Sequence, residues 1–223
     1  ATSIASLLNF EQLRYWQLHK REMKVKLQEA LGQVFNIIVD EHESVRREWE
    51  KFYEKFLGWK VDFTHVFIPV KPEGMWRLLI IAKGLTCDKV YGAWTFPKWK
   101  YMNGSIDESV PTNIRTASEH YAVWVRDGIE PDAEFLGKST KEVDPTMEVG
   151  MTLLERMTFE GKYFDETGKD LDIVGSTFCG GSRDADGNIP CVSLGGGEVF
   201  VSWCRLGSAN PLDGIRRAVS LKP

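Results

Sequence analysis

Apolar positions early in the chain recur mostly at three- or four-residue spacing. Leu7, Leu8, Leu13, Trp16, Met23, Leu27 and Leu31 follow this spacing, with Lys, Arg, Gln and Glu between them. That is the period of one helix face, and it predicts a helix from Ser6 to about Ala30. A second apolar run, Val34 to Val39, follows Gly32. Val45, Trp49, Phe52, Tyr53 and Phe56 then form another stripe, predicting a helix from Ser44 to Leu57 with Gly58 as its stop. From Val61 the period becomes that of strands. Thr64 to Val70, a turn at Lys71–Gly74, and Met75 to Ala82 predict a hairpin. The change of period places a boundary near Trp59, giving an N-terminal helical region over 1–60 and a second domain over 61–223.

Cys87 to Met102 is rich in rings: Tyr91, Trp94, Phe96, Trp99 and Tyr101. Such a cluster either packs beneath long loops or stacks bases or sugars, and packing is the expectation. Asn103 to Arg115 reads as loop, Tyr121 to Val125 as an apolar strand, and Asp127 to Asp144 as an acidic connection. Thr152-Leu-Leu-Glu155 has the spacing of a capping box. The helix it starts runs to about Glu166 and stops at Gly168, with Leu153, Leu154, Met157 and Phe164 turned inward.

The clearest alternation lies at Glu198 to Cys204. Val199, Val201 and Trp203 point one way; Glu198, Phe200, Ser202 and Cys204 point the other. The first set suits a core. The second mixes an acid, a ring, a hydroxyl and a thiol, which suits neither a core nor an ordinary solvated surface. The contrast recurs upstream, where Pro190 and Val192 look structural while Asn188, Cys191, Ser193 and Gly195-Gly196-Gly197 look interchangeable. Arg205 to Asp213 is a loop of small and polar residues, and Gly214 to Leu221 again reads as a strand.

Gly181-Ser182-Arg183, Asp186-Gly187, Val201-Ser202-Trp203 and Arg216-Arg217-Ala218-Val219 together resemble the C-terminal variable region of proteins diversified by diversity-generating retroelements. The resemblance is strongest from Gly175 to Leu221, weaker over Tyr121–Asp127 and Gly150–Glu155, and absent from roughly the first sixty residues. In that family a reverse transcriptase copies a template with errors at adenines and the product overwrites the 3′ end of the gene. The resemblance implies an α+β fold with a C-type lectin-like domain, related to the formylglycine-generating enzymes. It also implies a non-catalytic receptor whose ligand contacts are Asp184, Ala185, Asn188, Cys191, Ser193, Gly195, Gly196, Glu198, Phe200, Ser202, Cys204, Arg205, Gly207, Ser208, Asn210, Leu212 and Asp213. Val199, Val201, Trp203, Arg183, Arg216 and Arg217 are the expected framework, buried or hydrogen-bonded. Phe200 and Arg205 are the expected anchors, and the expected ligand is a protein.

Composition narrows the alternatives. A net charge of −4 and an isoelectric point near 5.7 do not suit a general polyanion binder. The basic run Arg14, Lys20, Arg21, Lys24 and Lys26 is interleaved with Glu11, Glu22 and Glu29, the mark of a solvated helix face. No apolar window nears the roughly eighteen residues of a membrane span, and no basic-then-apolar leader opens the sequence. Cys87, Cys179, Cys191 and Cys204 have no CxxC or Cys/His spacing, so free thiols in a cytoplasmic setting are expected, with no metal and no cofactor. His65 and His120 sit in no ligand motif, Gly195-Gly-Gly197 lacks the Lys-Ser/Thr of a phosphate loop, and Asp184 with Asp186 offers too few oxygens for calcium. Two alternatives stand: an oxidase of the formylglycine-generating type using Cys179 or Cys204, the latter beside Arg205, and a fixed protein-interaction module.

Overall fold

Among the described residues, 42–57 form the first helix (α1), and its aromatic stripe fixes where it docks. Trp49, Phe52 and Tyr53 are buried, and the Tyr53 hydroxyl donates to Ile80 O at 2.8 Å and accepts from Ala82 N at 3.2 Å. The computed structural model describes residues 42–220 apart from Met75 and Pro145. The helix expected from Ser6, its basic face and the run Val34–Val39 lie outside the described residues. The chain divides into compact units at Ala1–Val45 and Arg46–Pro223. This division falls before the expected boundary near Trp59, because the aromatic residues of α1 belong to the core of the larger unit.

That unit is α+β. Strand β1 (Trp76–Ile81) pairs antiparallel with β4 (Tyr121–Arg126), which also pairs with the short β10 (Ala218–Val219). A second sheet has the order β2-β8-β7-β5-β9, from β2 (Lys98–Lys100), β5 (Ser176–Phe178), β7 (Ile189–Gly195), β8 (Glu198–Cys204) and β9 (Gly214–Ile215). A two-stranded ladder joins β3 (Thr112–Asn113) to β6 (Ser182–Arg183). Short helices α2 (Cys87–Ala93), α3 (Ile106–Ser109) and α4 (Thr140–Val143) punctuate the connections.

The long helix α5 (Leu153–Thr167) contacts β1, β7 and α2. Its ends follow local chemistry. Thr152 accepts from Glu155 N while Glu155 Oε2 accepts from Thr152 N, and Gly168 closes the helix in the left-handed region at φ 66°. Leu153 and Met157 are fully buried; Phe164 is half-buried against Phe96.

Two expected strands differ. Thr64 to Val70 forms no strand, although Val66 and Ile68 are buried. Pro69 has no N–H to offer a ladder, its carbonyl accepts from Trp124 Nε1 at 2.8 Å, and β1 takes β4 as partner instead. Gly214 to Leu221 is not one strand. It breaks at Arg216, whose guanidinium turns into the core, so β9 and β10 enter different sheets.

Arg216 completes a cluster of four charged side chains with no solvent exposure: Arg156, Glu160, Asp172 and Arg216. Arg156 donates from Nη2 to Asp172 Oδ2 at 2.7 Å, and its Nη1 lies 2.6 Å from Glu160 Oε2, an ion contact rather than a well-aligned hydrogen bond. Arg216 donates to Asp172 Oδ1 at 2.5 Å, Thr177 Oγ1 at 2.9 Å and Gly128 O at 2.7 Å. Two cations face two anions, so the formal charges cancel. The two guanidinium groups hold the Asp172 carboxyl below the usual carboxylate range despite its burial, which acts the other way. Thr177 and Phe178 of β5 are thereby fastened to the segment carrying β9.

Candidate ligand-binding face

Cross-strand register sets which side chains share a face. Phe200 opposes Ser193 of β7 and Trp99 of β2, and Ser193 opposes Ser176 of β5, so Trp99, Phe200, Ser193 and Ser176 make one row. Ser202 opposes Cys191, which opposes Phe178, in the next row; Cys204 opposes Ile189 beyond it. On the reverse face Val201 opposes Val192, and both are fully buried. The alternation of β8 thus separates a packed side from a displayed one.

The displayed side is open at one end and covered at the other. Trp99 is 43% exposed and Tyr101 66%; the Trp99 ring lies 5.5 Å from the half-buried Phe200 ring and 6.0 Å from Tyr101. Gly195 leaves room for this: a Cβ there would meet the Phe200 ring at 3.1 Å. Farther along, Cys191 is 3% exposed and packs with Phe178, Ile189 and Ile215, under Phe135, Val143 and Val149. A pocket of about 280 Å³ lies at the transition, lined by Tyr101, Asn188, Ser202, Trp203, Cys204 and Arg205.

The position of β2 explains the aromatic ledge. Lys98 Nζ donates to Tyr91 O at 2.5 Å and to Trp94 O at 2.7 Å, covering carbonyls at the end of α2. Burial pushes the Lys98 amine down from its usual range. Trp99, the next residue, projects to the other side of the strand. The expectation that the whole Cys87–Met102 cluster packs therefore holds for Trp94 and Phe96, which are buried, and fails for Trp99 and Tyr101. Nothing local in the sequence puts either ring on this face, since their signal lies in pairing with a strand a hundred residues on.

The expected contacts are not equivalent in space. Ser193, Gly195, Glu198, Phe200 and Ser202 share the open rows. Asp184 and Asn188 are occupied in a turn: Asp184 Oδ1 accepts from Asn188 N at 2.7 Å and Asp186 N at 2.9 Å, and Oδ2 from Asn188 Nδ2 at 2.9 Å. Ala185 stands exposed at that turn's tip. Gly196 and Gly197, at φ 59° and 84°, form the two-residue connection of β7 to β8, where both central positions need positive φ. Arg205, Gly207, Asn210 and Leu212 are exposed and Ser208 and Asp213 half-buried in a loop tied down by Gly137 N to Asp213 O at 3.0 Å and Lys141 N to Leu206 O at 3.3 Å. Cys191 is enclosed by its apolar neighbours and reaches no ligand directly.

The expected framework is similarly divided. Val199, Val201, Arg183 and Arg216 are buried, and Arg183 donates to Gly180 O at 2.6 Å. Trp203 is only half-buried, since it stands near the strand end and lines the pocket. The Arg217 side chain is exposed over the Phe135 ring; its backbone N–H donates to Asp132 Oδ2 at 2.9 Å.

Cys191 and Cys204 interact directly. Their sulfurs lie 2.6 Å apart and Ser202 Oγ is 3.2 Å from Cys191 Sγ. The Cys204 hydrogen bond, aided by Ser202, pulls the Cys191 thiol below its usual range against the opposing effect of burial; the same bond and burial push Cys204 up. Cys179 is fully buried and its thiol pushed well up by desolvation, so it lacks the exposure and thiolate character of a reactive cysteine. His120 accepts from Lys83 N at 2.9 Å and packs edge-on against Phe63, a structural placement. Among the described residues no group of three or more His, Cys, Asp or Glu is placed to hold a metal ion, and no helix is long and apolar enough to cross a membrane.

A second groove, of about 1140 Å³, lies elsewhere, lined by Phe67, Ile114, His120, Tyr121, Arg217 and Val219 among others. Of the expected framework and ligand contacts it takes in only Arg217, beside His120 and the Ala218–Val219 part of the same motif. No protein family matches the chain, nor does any curated protein or solved structure.

Proposed function

We propose that the chain is a hypervariable binding protein of the retroelement-diversified kind, with a C-type lectin-like domain and no catalytic role. It presents the open rows of β7 and β8 to a protein ligand. The observation that carries the reading is the split along β8. Val199 and Val201 are 1% and 0% exposed, while the intervening Glu198, Phe200 and Ser202 reach the surface. Side chains in the open rows can therefore change without opening the core, which is what a varied face requires. Phe200 and Arg205 serve as anchors, and Trp99 and Tyr101 add rigid aromatic area of the kind that carries binding energy in paratopes. All four cysteines are unbridged, which fits a reducing compartment such as the cytoplasm.

The test is genetic. Sequencing the DNA downstream of the gene should reveal a near-repeat of the segment encoding Gly175–Leu221, mismatched chiefly at adenines, with a reverse transcriptase gene close by. A complete genome lacking both would overturn the reading and leave a fixed interaction module.

A further inference from the structure

We infer that Cys191 and Cys204 form a reversible disulfide site, closed by an anionic low-molecular-weight disulfide of the glutathione class. This does not depend on the face being varied. The two residues sit on neighbouring strands one step out of direct opposition, since Cys191 opposes Ser202 and Cys204 opposes Ile189. Diagonal neighbours of this kind have Cα atoms about 7–8 Å apart, and a disulfide needs about 4.4–6.8 Å, so closure calls for a shift of about 1 Å. Cys204 can supply it: it is the last residue of β8, and the exposed Arg205–Gly207 segment follows. Their sulfurs already approach to 2.6 Å.

Access and charge fit the reagent. Cys204 is half-buried and lines the 280 Å³ pocket, whereas Cys191 lies behind it at 3% exposure. Arg205 lines the same pocket and supplies a positive charge for the carboxylates of a glutathione-type disulfide. Cys204 is thus the sulfur a reagent reaches, and Cys191 the one placed to resolve the adduct.

The step balances from the singly deprotonated pair. The resting proton lies on Cys204; its transfer to Cys191 across the 2.6 Å contact frees the Cys204 thiolate, which attacks one sulfur of RSSR; the S–S bond breaks and RS⁻ departs. Cys191 Sγ then attacks Cys204 Sγ, expels the second RS⁻ and gives up its proton to form RSH. The cysteine pair loses two electrons, and the small disulfide gains them as one RSH and one RS⁻. Ser202 Oγ, 3.2 Å from Cys191 Sγ, can donate to the resolving sulfur as its charge develops.

The experiment takes the reduced full chain, incubates it natively with glutathione disulfide, blocks remaining thiols with iodoacetamide, and maps peptides without reduction. Two of the four thiols should be lost, with one cross-link joining the peptides of Cys191 and Cys204. Cys191→Ser should accumulate a stable glutathione adduct on Cys204, and Cys204→Ser should give neither cross-link nor adduct. Cys204→Ala, checked with the others by circular dichroism, guards against a misfolded variant. Four alkylated thiols, a persistent adduct on wild-type Cys204, or a cross-link through Cys87 or Cys179 would overturn the inference.

Discussion

The buried charge cluster makes the most severe prediction. Asp172 has φ 53°, in the left-handed region, where Asn is tolerated alongside Asp. Asp172→Asn therefore preserves backbone and volume and removes one charge. The cluster then carries two guanidinium groups against Glu160 alone, one uncompensated positive charge with no exposure to water. The new amide also turns a donor toward at least one guanidinium donor. Breaking one side of a buried ion pair costs about 3–5 kcal/mol. For a chain of 223 residues each kcal/mol is worth about 2–4 °C, so the melting midpoint should fall by about 6–20 °C. The assay is a thermal melt followed by tryptophan fluorescence at neutral pH. Glu119→Gln is the control: its partner Lys83 is 57% exposed and Glu119 itself 77%, and such surface pairs are worth about 0–1 kcal/mol. A midpoint for Asp172→Asn within the control's range would show that charge pairing does not hold this core.

Two further outcomes follow from the geometry. Burial raises the Asp132 carboxyl from 3.8 to about 6, so its contribution to stability is fully present below 3.8 and lost as pH rises through about 6. Melts of wild type and Asp132→Asn should therefore diverge over that interval, with wild type losing ground toward neutral pH; parallel curves would contradict this sign. Along β8, Val201→Ala should cost about 2–3 kcal/mol in urea unfolding, from two lost methyl groups plus their cavity. Ser202→Ala should stay within about 1 kcal/mol, and equal costs would remove the basis for reading β8 as a display strand.

What could be read from sequence was what local chemistry decides. Helix α5 begins at a Thr152–Glu155 box and ends at Gly168, so its limits needed only neighbours in the chain. Strand β8 was legible because its two sides differ in kind. Pairing was not: Thr64–Val70 looked like a strand, yet nothing local revealed that β1 would take β4. The fate of Trp99 was hidden for the same reason, since Lys98–Lys100 aligns in parallel with Val199–Val201. Burial of Arg156 and Glu160 was equally invisible. Both stand on a helix face where charged residues normally meet solvent, and only Asp172 and Arg216 make their enclosure tolerable.

Arg216 also carries a consequence for how the protein comes into being. Its carboxylate partner lies 44 residues earlier and the carbonyl it grips at Gly128 lies 88 earlier. During synthesis, helix α5 and Asp172 leave the ribosome well before it. Until Arg216 arrives, the nascent cluster holds one cation against two anions, so water must remain where the finished core is dry. The part of the interior around Asp172 and Thr177 can therefore close only once this later residue is in place.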